Sequence, residues 1–177
     1  MRILRADNSL LLVIDFQERL MPAIHGGEAA MVEARRLIDI AGILGVPVRF
    51  TEQRPEKLGT VVPALHPDDR SHVAAKVTFD SCRKPGFVDW LPQGDVVAVG
   101  SETHVCVLQT VLGLLDAGRK VFVVEDAVGS RTPANKAAGL RRMSAHGADI
   151  VTAEMVAFEW LGTAEHPRFR EVIARIK

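Results

Sequence analysis

Six short apolar runs, each separated from the next by a stretch of helical periodicity, most constrain what this chain can fold into. The runs are Ser9–Ile14, Val46–Thr51, Ser71–Ala75, Asp95–Val99, Lys120–Glu125 and Asp149–Thr152. Between them, Glu28–Leu44 carries apolar residues on one helical face and stops at Gly45, a residue that readily takes a left-handed helix-ending conformation. A short helix is predicted around Pro85–Leu91, a longer one over Leu108–Gly118, and another from the Thr132-Pro133 start to His146-Gly147. Glu154–Leu161 and Arg168–Ile176 close the pattern. Strands that alternate with helices require crossover connections, and these build a parallel sheet buried on both faces. The expectation is therefore an α/β chain: a doubly wound, Rossmann-like three-layer sandwich with a six-stranded parallel sheet in the order 3-2-1-4-5-6. With no internal repeat, low-complexity tract or linker visible, residues 1–177 read as one domain.

In such a sheet, ligands bind outside the carboxyl ends of the strands, where the strand order reverses. Three residues with chemistry fall there. Asp15 ends the first run, Lys76 ends the third, and Cys106 follows the fourth in Gly100-Ser101-Glu102-Thr103-His104-Val105-Cys106-Val107. A cysteine in the first turn of a helix lies near unpaired N–H groups that favour a thiolate. Each residue also has an ordinary structural reading, Cys106 as a small packing residue and the other two as a salt bridge or helix cap. Taken together they suit covalent catalysis: a base, a cation to balance charge, and a nucleophile.

Other chemistries fit less well. Lysine plus arginine equals aspartate plus glutamate at 22 each, with no basic stripe or arginine–aromatic interleaving of the sort a nucleic-acid surface needs. No apolar run approaches the roughly 18 residues of a membrane span, and no signal peptide is visible, so a cytoplasmic protein is expected. Two cysteines, Cys82 and Cys106, make no disulfide framework. No pair among the six histidines has the spacing of a shared metal site. No strand leads into a Gly-x-Gly-x-x-Gly turn for a dinucleotide. A phospho-receiver would need paired acids after the first strand, whereas Asp15 is followed by Phe16 and Gln17. No cofactor is expected.

Leu12–Gln17, Ala75–Phe79, the Cys106 loop and Glu125–Arg131, in that order, resemble the isochorismatase-like cysteine hydrolases. Thr51–Pro55 with Leu58-Gly59, and His166–Phe169, are similar to a narrower branch, the isochorismatase domain-containing hydrolases. The resemblance implies an Asp15–Lys76–Cys106 triad that cleaves a small amide, carbamoyl or ureido C–N bond through a thioester. It also implies oxyanion donors at the N–H groups of Glu102 and Cys106, a cis Ser101–Glu102 peptide, and assembly into a homo-oligomer. Nicotinamidases of the superfamily hold a metal near the end of the second strand, where this chain has Thr51-Glu52-Gln53-Arg54 instead. Phe16, Gln17, Glu52, Phe79, Ser101 and His104 are candidates for lining the substrate pocket. Trp90, Phe158 and Trp160 read as exposed aromatics suited to an interface, and Cys106 as an unusually acidic thiol. Two alternatives remain at this stage: vinyl ether cleavage of the isochorismatase type, which needs no thiol, and a non-catalytic oligomeric partner-binding protein.

Overall fold

The computed structural model describes residues 3–176. Its sheet has six strands, β1 (Ser9–Ile14), β2 (Val48–Gln53), β3 (Val73–Lys76), β4 (Asp95–Ser101), β5 (Val121–Gly129) and β6 (Asp149–Val151). All neighbours are parallel, in the order β3-β2-β1-β4-β5-β6. The expected topology is present, and β1 and β4 lie side by side at the reversal point.

Period-two alternation divides the core into two layers. Leu11, Val13, Val97, Val99, Phe122 and Val124 face α1 (Gly27–Leu44), α6 (Ala153–Leu161) and α7 (Phe169–Ile176). Leu10, Leu12, Ile14, Val96, Ala98 and Val123 face α3 (Phe87–Trp90), α4 (Leu108–Asp116) and α5 (Pro133–Ala145). The helix signals read from sequence act as expected in three places. Gly45 ends α1 at φ 74°, Thr132 caps α5 through Asn135 N–H, and Pro133 occupies its first turn. Pro85 falls outside its helix, because Gly86 at φ 74° is the residue that starts α3. The segment after β2 holds one short helix, α2 (Pro55–Leu58), followed by 3₁₀ turns.

Two features bring β1 and β4 into register at the site. Ile14 pairs with Gly100, and a Cβ at Gly100 would lie 2.3 Å from the Ile14 carbonyl oxygen, so only glycine permits this approach. Beyond Ser101 the chain forms a π-helical turn, Thr103–Val107, before α4 begins. The Glu102 carbonyl accepts hydrogen bonds from both Val105 and Val107 N–H, which places Cys106 inside that turn.

Candidate active site

Asp15 leaves β1 at φ 51°, one of two non-glycine residues with a left-handed backbone among those described. Aspartate tolerates this region better than most residues. Its N–H donates to the Thr51 carbonyl (3.2 Å) and its own carbonyl accepts from Gln17 N–H (3.0 Å), so the turn is held at both ends. The side chain is fully buried: Oδ1 accepts from Thr51 Oγ1 at 2.6 Å, and Oδ2 accepts from Lys76 Nζ at 2.6 Å. The Lys76 ammonium is 1% exposed and also donates to Gln53 Oε1 at 3.0 Å. A buried ion pair is tolerated when further hydrogen bonds satisfy both partners, and here they do.

The structure thus brings Asp15 and Lys76 together with Cys106. The Cys106 residue is 5% exposed, and its thiol lies within reach of the charges of both Asp15 and Lys76. Burial pushes the thiol far above its ordinary range, Asp15 adds to this, Lys76 opposes it, and Glu102 adds a further increment. The expected acidic thiol is therefore corrected: desolvation and two carboxylates outweigh one ammonium. Cys82 is pushed up to about 12, first by burial and then by Asp80. It packs on α4 with its Sγ 3.8 Å from the Thr110 carbonyl, and both cysteines are free.

The remaining sequence candidates divide. Ser101 and Glu102 flank a cis peptide at the head of the Cys106 turn. Ser101 is fully buried with Oγ 3.5 Å from Met21 Sδ, and the Glu102 carboxylate accepts from Arg131 Nε at 3.0 Å. His104 is half-buried, its Nδ1 3.1 Å from Ser130 Oγ. Phe79, just beyond Lys76, is 52% exposed. Three candidates are engaged elsewhere. Phe16 lies in the core layer opposite Cys106. Gln17 spends its amide on Gln53 N–H, Gln53 carbonyl and Gly59 carbonyl. Glu52 points away from Asp15, its oxygens taken by both terminal nitrogens of Arg70 and by Val61 N–H. Trp160, expected at the surface, is 3% exposed.

Sequence reasoning missed Thr51 and Gln53, which orient Asp15 and Lys76. The signal was present: two polar residues at alternate positions of β2, on the face opposite Phe50 and Glu52, beside the strand that ends in Asp15. Among the described residues no group of three or more His, Cys, Asp or Glu side chains is arranged around a metal site.

Comparison with known proteins agrees with this architecture. Residues 9–155 match the Isochorismatase domain family. The chain is 37% identical over 169 residues to isochorismatase domain-containing protein 2 of Xenopus laevis, covering 93% of this chain and 82% of that one. The human protein of the same name is 36% identical over 174 residues, covering 96% and 83%. A solved structure described as MAR1 ribonuclease from Caenorhabditis elegans superposes with a TM-score of 0.91 at 37% identity, over 98% of this chain and 92% of that one. From the fold, the strand-end residues and these matches together, the chain belongs to the isochorismatase domain family.

Proposed function

We propose that this chain is a cysteine hydrolase that cleaves a small amide, carbamoyl or ureido C–N bond through a thioester on Cys106. The observation that carries this reading is the buried Asp15 carboxylate, oriented by Thr51 Oγ1 and Lys76 Nζ and near enough for its charge to act on the Cys106 thiol. A neutral resting thiol calls for a base that acts at the moment of attack. The Cys106 proton passes to Asp15 while Lys76 steadies the negative charge that develops on sulfur, and the sulfur then bonds the substrate carbonyl carbon. The N–H groups of Glu102 and Cys106 receive the oxyanion. Asp15 returns the proton to the departing nitrogen as the C–N bond breaks; it then takes a proton from the water that attacks the thioester and gives it to the Cys106 sulfur as the C–S bond breaks.

The test is ammonia release from a library of small amides, carbamoyl compounds and ureas, with Cys106→Ala protein as the blank. Turnover that depends on Cys106 supports the reading. Vinyl ether hydrolysis at full rate by Cys106→Ala would decide for acid-dependent chemistry instead. The description of the Caenorhabditis elegans relative as a ribonuclease makes RNA the competing substrate. Phosphodiester cleavage forms no acyl group, so RNA cleavage that survives Cys106→Ala would overturn the proposal.

A further inference from the structure

The mechanism above uses only the backbone N–H of Glu102, yet its side chain is a carboxylate just 10% accessible. Burying a carboxylate is costly, and any residue but proline at 102 would supply the same N–H. Among the described residues the Glu102 carboxylate has one bonded partner, Arg131, through Oε2 and Nε at 3.0 Å. Arg131 is itself 63% exposed, so water screens much of its charge. Glu102 is the N-cap of the π-helical turn Thr103–Val107, four residues and about one turn ahead of Cys106, and its negative charge disfavours the thiolate.

The charges around the sulfur are therefore unequal. Asp15 and Glu102 are both acidic, and the facing cation, Lys76, is already bonded to Asp15 and Gln53. A carboxylate on the substrate would add a third negative group. An uncharged amide or urea would bring N–H donors instead, and an ionised carboxylate offers lone pairs on both oxygens to receive them.

We propose that the Glu102 carboxylate, held by Arg131, is the selectivity residue of the site, favouring neutral N–H-bearing acyl groups and turning away substrates that carry a carboxylate near the scissile bond. This rests on the proposed nucleophilic role of Cys106, and it narrows the substrate class. Arg131 is a positioning residue that acts through Glu102: its guanidinium fixes the carboxylate and offsets part of its charge.

Alkylation of Cys106 tests this without a known substrate. Iodoacetamide and iodoacetate deliver the same carbon with and without an amide, and mass spectrometry of the Cys106 and Cys82 peptides reads each rate at one pH. Glu102→Gln should lower the iodoacetamide-to-iodoacetate ratio at Cys106 by about tenfold, as removal of one nearby like charge from a partly dry site requires. The ratio at Cys82 should stay fixed. Arg131→Met should widen the Cys106 ratio, and Arg131→Lys should restore it, a response that loss of packing alone would not give. An unchanged ratio in Glu102→Gln, or a Cys106 inert to both reagents, would overturn the proposal. Should Arg131→Met fail to fold, the isosteric Glu102→Gln decides alone. Absence of Cys106-dependent amide turnover would sink the hydrolase reading and leave this ratio unaffected, so the two failures are distinguishable.

Discussion

Asp15 serves two masters, and the two can be separated by substitution. Its charge raises the Cys106 thiol, and in the proposed reaction its lone pairs accept the thiol proton. Asp15→Asn removes the repulsion and frees Lys76 to face the sulfur, so the thiol should become more acidic. Iodoacetamide should then modify Cys106 faster at pH 8 than in the parent. Turnover should nevertheless fall by about 10²–10⁴-fold, the usual worth of a positioned base. Slower alkylation together with lost turnover would mean that Asp15 stabilises the thiolate rather than removing its proton. Lys76→Met has the opposite sign. Loss of the one cation that lowers the thiol should move the pH–rate profile upward. It also leaves the fully buried Asp15 carboxylate without its ion-pair partner, a change that costs about 3–5 kcal/mol in comparable sites and is measurable by denaturant unfolding. In the parent, neither thiol should show an alkylation midpoint below the ordinary thiol value, because burial is the leading cause of the upward displacement at both Cys82 and Cys106.

At the level of elements, the strand ends were legible because an apolar run that stops at a charged residue marks both the strand and its carboxyl end. Asp15 and Lys76 were found in this way, and so was the sheet order, which follows from the alternation of strands and helices. What was not legible is the direction in which each side chain leaves its strand end. Glu52 and Gln53 are neighbours in β2, but alternation sends Glu52 to Arg70 and Gln53 to Lys76. Phe16 and Gln17 follow the left-handed turn at Asp15, and Phe16 ends in the core layer opposite Cys106. The π-helical turn was also hidden, since its cause is tertiary. Helix α5 presses Gly139 against the Cys106 loop, where an added Cβ would lie 3.0 Å from the Thr103 carbonyl oxygen and 3.1 Å from His104 Cα. Gly139→Ala should therefore shift the Cys106 turn by a few tenths of an ångström. The expected result is a loss of activity of at least several-fold, of the kind small misplacements produce, with helix content unchanged by circular dichroism. Full activity in Gly139→Ala would show that the turn is held from elsewhere.

On the scale of the whole molecule, the same sheet edge carries both structural reinforcement and exposed apolar surface. The reinforcement is the Glu52–Arg70 pair, which ties the segment after β2 back to the strand. Burial raises the Glu52 carboxyl, but the Arg70 guanidinium and Val61 N–H outweigh it, and the net displacement is downward. A carboxyl lowered in the folded state stabilises the fold above its unfolded value of about 4.5, and this contribution disappears as pH falls through the lower folded value. Glu52→Gln should flatten the acid limb of a melting-temperature profile below pH 5; a parallel profile would remove the pair from the acid response. The exposed surface lies beyond the four-residue edge strand β3, where Val77 is 72% and Phe79 52% exposed. An open edge flanked by exposed apolar residues is a surface that proteins ordinarily cover or blunt. Helix α6 adds Met155 and Phe158 at 53% and 45%. A second copy of the chain is the expected cover, so sedimentation at micromolar concentration should give a dimer or larger species. Val77→Asp with Phe79→Asp should move it toward monomer if the β3 edge is the contact, and Phe158→Asp should do so if α6 is. A parent protein that sediments only as monomer would leave both surfaces to solvent and end the expectation of self-assembly.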